Sequence, residues 1–168
     1  LPAGDSPTAV ISTGARPGNE GIAYLVVNEG SNTVTTYGWD GDQLGVLESI
    51  RVGDRPTAIS SFRTGVKGTS GYVVTNGGSN DVSILTGSGG SLDPAGRFKA
   101  GSSPTAIAPL TFSDYFSPDL AVANTNSGKI SMFLWHETSG ICLNHPARLF
   151  QLTSKNDDNH RTASGDPD

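Results

Sequence analysis

Asp40 and Asp42 bracket Gly41, and two carboxylates held that close can divide general acid and general base work. Asp-Gly-Asp is equally the composition of a solvated turn, and the turn is the favoured reading. Asp114 and Asp119 lie five residues apart in one loop, where oxygen ligands could surround a hard cation such as calcium. His136, His145 and His160 are separated by 9 and 15 residues, without the short spacing of a zinc site. Cys142 stands close enough to His145 for a thiolate–imidazole pair. Its flanks, Ile141 and Leu143, favour a small buried thiol instead. The chain has no Gly-Lys-Thr phosphate loop, no dinucleotide fingerprint and no Gly-x-Ser-x-Gly elbow. These residues weigh toward a chain without a catalytic site of its own.

Composition narrows the scaffold that would position them. Of 168 residues, 35% are hydrophobic, while Gly numbers 22 and Pro 10, a balance that suits many short strands joined by turns. A net charge of −5 gives no electrostatic reason to expect nucleic acid as a partner. No run approaches the roughly 20 apolar residues that a spanning helix needs, so membrane insertion is not expected. No basic-then-apolar leader is recognisable at Leu1-Pro2-Ala3-Gly4. A single cysteine excludes an internal disulfide framework.

The dominant signal is internal repetition. Pro-Thr-Ala begins at Pro7, Pro56 and Pro104, recurring after 49 and then 48 residues. An Asn-rich turn begins at Asn28, Asn76 and Asn124, recurring after 48 residues both times. Between these landmarks the order of runs is constant. A short apolar run follows each Pro. A second run, Ala23 to Val27, Tyr72 to Val74 and Leu120 to Ala123, is apolar on both faces and reads as a strand buried on both sides. An alternating run follows the turn, with Val34 and Thr36, then Val82 and Ile84, then Ile130, Met132 and Leu134. A more polar run, as in Leu47 to Val52 and Phe98 to Ala100, closes the unit as an exposed edge.

Four antiparallel strands in about 48 residues, repeated in tandem, predict an all-β fold of three β-propeller blades. The units run over about 7–55, 56–103 and 104–152, with 153–168 a polar, disordered tail. Pro7, Pro56 and Pro104 would sit at strand entrances, where a missing N–H costs no ladder bond. Asn28, Asn76 and Asn124 would serve the turns, because Asn bonds nearby backbone and tolerates positive φ. Three blades do not close a ring of four to eight, so the segment is expected to be incomplete or to close by self-association.

The units resemble the VCBS/FG-GAP class of propeller repeats. The likeness rests on Asp119-Leu120-Ala121-Val122-Ala123-Asn124, on Ser31 to Thr35 and Ser79 to Ser83, and on Gly53 to Pro56 and Gly101 to Pro104. Tyr72-Val73-Val74-Thr75-Asn76 is similar to the signature of YVTN-type propellers, with one extra Val. The resemblance covers roughly residues 4 to 135. It implies a calcium loop between the first and second strands of a blade. The loops over 13–21 and 63–71 offer almost no carboxylates, and that over 111–119 keeps only Asp114 and Asp119. Glu20, Lys67 and Asp114 in these loops differ in type and register, so no shared ligand set converges. The resemblance implies a non-catalytic module binding protein or glycan, extracellular or periplasmic in a bacterium, with no cofactor beyond that degenerate calcium loop. The alternative is part of a lactonase-like propeller hydrolase whose metal ligands lie on other blades.

Overall fold

The computed structural model describes residues 1–144 except 17, 19, 20, 65, 66, 111–118, 134, 139 and 140; for Arg63, Leu110, Asp119 and residues 135–144 only the backbone is described. The described residues form strands and turns, and no helix among them is long and apolar enough to cross a membrane. The expected tail over 153–168 lies outside the described residues.

Thirteen strands are present among the described residues. The first sheet is an antiparallel meander of β1 (Pro7–Ser12), β2 (Ile22–Asn28), β3 (Thr33–Asp40) and β4 (Gln43–Arg51). The second repeats that order with β5 (Pro56–Arg63), β6 (Ser70–Asn76), β7 (Asp81–Ser88) and β8 (Ser91–Lys99). A third has β9 (Pro104–Leu110), β10 (Asp119–Asn124) and β11 (Lys129–Phe133). A hairpin of β12 (Trp135–Thr138) and β13 (Ile141–Asn144) follows. Each proline of the Pro-Thr-Ala motif opens a strand, and each motif asparagine closes the next one. Pro7 pairs with Asn28, Pro56 with Asn76 and Pro104 with Asn124.

The register slips at corresponding places in successive sheets. Between Pro7 and Ala9, and between Pro56 and Ala58, one residue drops out of the ladder. That residue is a threonine, and it bonds across to the next sheet instead. Thr8 Oγ1 donates to the Pro56 carbonyl at 3.4 Å, and Thr57 Oγ1 to the Pro104 carbonyl at 2.9 Å. A second slip falls between Thr36 and Tyr37 in the β3–β4 pairing and between Ile84 and Leu85 in β7–β8. The extra residue lies on the outer strand, and it reverses which face the later side chains of that strand occupy. On β8, Leu92 therefore packs toward the first sheet, while Phe98 packs toward the third.

Two cores separate three sheets. Leu25, Val27, Val34 and Ile50 of the first sheet meet Ile59, Tyr72, Val74 and Leu85 of the second. Val73, Val82 and Ile84 on the opposite face of the second sheet meet Leu120, Val122 and Phe133 of the third. β6 is thus covered on both faces, as its unbroken apolar run predicts. β2 and β10 are not: Tyr24 is 37% exposed and Ala123 is exposed. The expectation of burial on both sides fails for these two because, among the described residues, each outer sheet has a neighbouring sheet on one side only. β4 and β8 start earlier than their apolar runs suggest, at Gln43 and Ser91, because their first halves are polar or interrupted by Gly45, Pro94 and Gly96.

Candidate functional site

The best-built polar region lies where the β2–β3 type turns meet the lead-in to the following sheet. Asn28, Asn76 and Asn124 are buried there, at 0%, 0% and 2% exposure. Each carboxamide Nδ2 donates to the hydroxyl seven residues on, Thr35, Ser83 or Ser131, at 2.9 Å in all three sheets. Each also reaches the position five residues on: Thr33 Oγ1 at 3.2 Å, Asp81 Oδ1 at 2.8 Å and the Lys129 carbonyl at 3.1 Å. These bonds tie the last residue of one strand to the start of the next. A buried amide is stabilising only when its donors are matched in this way.

The carboxamide oxygens differ between the sheets. Asn124 Oδ1 accepts from the Gly101 amide at 2.9 Å. Asn28 Oδ1 and Asn76 Oδ1 are buried without a hydrogen-bond partner among the described residues. Here Gly4, Gly53 and Gly101 pack so closely that an added Cβ would stand 2.8, 2.5 and 2.6 Å from the Cγ of Asn28, Asn76 and Asn124. The glycine of the Gly-x-x-Pro lead-in is therefore required by the asparagine behind it, and its own backbone needs no positive φ.

A second asparagine joins neighbouring sheets. Asn32 and Asn80 both adopt the left-handed conformation, each with φ 58°. Asn32 Oδ1 accepts from the Arg55 amide at 2.7 Å, and Asn80 Oδ1 from the Ser103 amide at 2.8 Å. The residue that each grips is itself left-handed, with φ 50° at Arg55 and 55° at Ser103. The carboxamide bond helps to hold that unfavourable geometry in place. Sequence reasoning quoted both asparagines within the turn motif and missed this role. Their 48-residue recurrence was the available signal.

Two ion pairs lie at this end of the sheets among the described residues. Glu29 Oε1 and Arg55 Nε form an exposed pair at 2.9 Å across the first joint. Asp81 is more enclosed: Arg97 Nη2 approaches Oδ2 at 2.5 Å, while Asn76 Nδ2 and Ser79 Oγ donate to Oδ1 at 2.8 and 3.0 Å. Burial in the first core raises the Tyr72 phenol above its ordinary value, with the Ser70 hydrogen bond pulling it partly back. Burial raises Tyr37 as well.

The other residues singled out for chemistry are scattered over several elements or lie outside the described residues. Asp40 ends β3 and Asp42 follows Gly41 (φ 60°) in an exposed hairpin turn. Asp119 opens β10, while Asp114, His145 and His160 lie outside the described residues. His136 falls on β12 and Cys142 on β13. Among the described residues, no group of three or more His, Cys, Asp or Glu could hold a metal ion.

No family model matches this chain, and no curated protein matches it. Solved structures do. A Bacteroides fragilis protein, provisionally described as a 6-phosphogluconolactonase, has a TM-score of 0.63 at 16% identity, covering 86% of this chain and 39% of its own. A functionally unknown protein from Desulfotomaculum acetoxidans has a TM-score of 0.61 at 17% identity, covering 88% of this chain and 43% of its own. The likeness is one of fold, and this chain spans about two fifths of the length of each.

Proposed function

We propose that this chain is a three-blade segment of a β-propeller, of the VCBS/FG-GAP type, acting as a non-catalytic module that binds protein or glycan. The observation that carries the reading is how the recurring polar residues are used. Asn28, Asn76 and Asn124, with Asn32 and Asn80, commit their carboxamides to strand ends and to joints between sheets. Recurrence here serves architecture, and what varies between units is the exposed surface around it. Asp5, Asp54, Arg55, Ser102, Thr125 and Asn126 are exposed on the turns and lead-ins at one end of the sheets. Such a rim of mixed polar groups suits recognition by hydrogen bonds rather than bond cleavage. A bacterial cell-surface or periplasmic setting belongs to the proposal and rests on the family resemblance. The calcium reading of Asp114 and Asp119 also stays a proposal, resting on that loop's composition.

The fold likeness to the Bacteroides fragilis protein favours one second reading, a lactonase-like hydrolase whose ligands come from further blades. A lactone and ester hydrolysis screen with metal analysis separates the two. Turnover that is lost on chelation and restored by a divalent metal would overturn the binding-module reading. Specific, saturable binding on an oligosaccharide array or to a defined protein ligand, weakened by Arg55→Glu and unaffected by chelation, would support it.

A further inference from the structure

The outer face of the first sheet is a groove of about 550 Å³ lined largely by apolar side chains. Its lining includes Val10, Tyr24, Val26, Tyr37 and Leu44. Moved along the chain by one repeat, these five positions become Ile59, Tyr72, Val74, Leu85 and Leu92. Those five residues are the second sheet's half of the core it shares with the first. One repeat further, four of them become Ile107, Leu120, Val122 and Phe133, which pack against the second sheet in the other core. The open face therefore carries the same docking half that is already used twice within the chain.

Among the described residues, the matching half is uncovered at the other end. Leu25, Val27 and Val34 of the first sheet receive the second, and Val73 and Val82 do the same for the third. Their counterparts on the third sheet are Ala121, Ala123 and Ile130. Ile130 is 41% exposed, where Val34 and Val82 are both 0%. Val10 is 62% exposed, where Ile59 is 8%. Bulk is also redistributed in a complementary sense. The first sheet's face has Tyr37 where the others have Leu85 and Phe133, and the third sheet's face has Ala121 and Ala123 where the others have larger side chains. Leu1 and Ala3 also line the groove, at the places that Ile50 and Val52 take one repeat later.

We infer that a second copy of this chain docks head to tail on these faces, the third sheet of one copy covering the first sheet of the other. Each copy carries both halves, so two such contacts related by a twofold axis join six sheets, a number within the range in which propellers close. Two copies together also approach the length of one of the similar solved chains. The new joint lacks one feature of the internal ones. Gly128, at φ 61°, stands where Asn32 and Asn80 grip the following lead-in.

Sedimentation of the 168-residue chain at micromolar concentration is expected to give twice its 17.3 kDa mass. Val10→Lys and Ile130→Lys alter residues already exposed in the single chain, so circular dichroism should report an unchanged fold. Each should weaken pairing about 100-fold by placing an unpaired charge in an apolar contact. Mixing the two variants leaves one unaltered contact between unlike copies, and a two-copy species should return. Gly128→Asn should tighten pairing about 30-fold by adding the missing hydrogen bond, worth about 1 kcal/mol, to each of the two contacts. A single-copy mass for the unaltered chain would overturn the inference. So would a two-copy species indifferent to both lysines.

Discussion

Replacing Gly53 by alanine tests whether the lead-in glycine is dictated by the asparagine behind it. The new methyl carbon would stand 2.5 Å from Asn76 Cγ, 2.5 Å from Ser79 Oγ and 2.6 Å from Asn76 Nδ2. Distances below about 3 Å are not tolerated, so something must move. Asn76 cannot yield freely, because its carboxamide is fully buried and held by Asp81 and Ser83. Overpacking of this kind costs about 1–3 kcal/mol, and each net hydrogen bond lost adds about 1 kcal/mol. The expected total is about 2–4 kcal/mol, which lowers a urea midpoint by about 1–2 M. Gly45→Ala is the control: nothing stands within 4 Å of its added Cβ, and the change should stay within about 0.5 kcal/mol. In an Asn76→Ala background the carboxamide clash is gone and only that with Ser79 Oγ remains, so Gly53→Ala should lose at least about 1 kcal/mol of its effect. An equal cost in both backgrounds, or a cost near that of Gly45→Ala, would refute the reasoning.

Three further outcomes follow from the same geometry. Asn80→Gly removes only the bond to the Ser103 amide and should cost about 1 kcal/mol; Asn80→Ala adds left-handed strain and should cost about 1–2 kcal/mol more, with Ser103 amide exchange accelerated in both. Asp81→Ala strips three donors of their acceptor and should cost about 2–4 kcal/mol by chemical denaturation, whereas Arg97→Ala should cost less because Arg97 is half exposed. Burial holds the Tyr72 phenol above its ordinary value of 10.0, so the unfolded chain ionises first as pH rises. Stability should therefore be intact below about pH 10 and fall above it, and Tyr72→Phe should flatten that fall in urea midpoints taken at stepped pH.

The parts of the fold legible in the sequence are those where a residue type has one mechanical use. Proline marks the first residue of β1, β5 and β9, since a strand entrance tolerates its missing N–H. Asparagine marks the ends of β2, β6 and β10. The outer strands were harder to delimit. β4 and β8 face water over much of their length, so their hydrophobic pattern is weak, and a bulge reverses it midway. Which middle strand would be covered on both faces was not legible from its own residues. Ala23 to Val27 and Tyr72 to Val74 read alike, and only the number of neighbours separates Tyr24 from Tyr72. At the candidate site, the turn asparagines were visible as a motif, whereas their reach to the next lead-in depends on how two sheets are stacked.

The joint formed by Asn32 with the Arg55 amide, and again by Asn80 with the Ser103 amide, has a consequence for how such a chain can change in length. Every participant recurs at the repeat interval, and the gripped group is a backbone amide that any residue except proline supplies. The grip is therefore indifferent to which sheet follows. Whole units can be duplicated or lost by unequal recombination without redesigning that grip, because the groups on either side of the crossover already fit it. Glycine at 128 has no carboxamide to offer, so a lead-in following the third sheet would have to be held by another group.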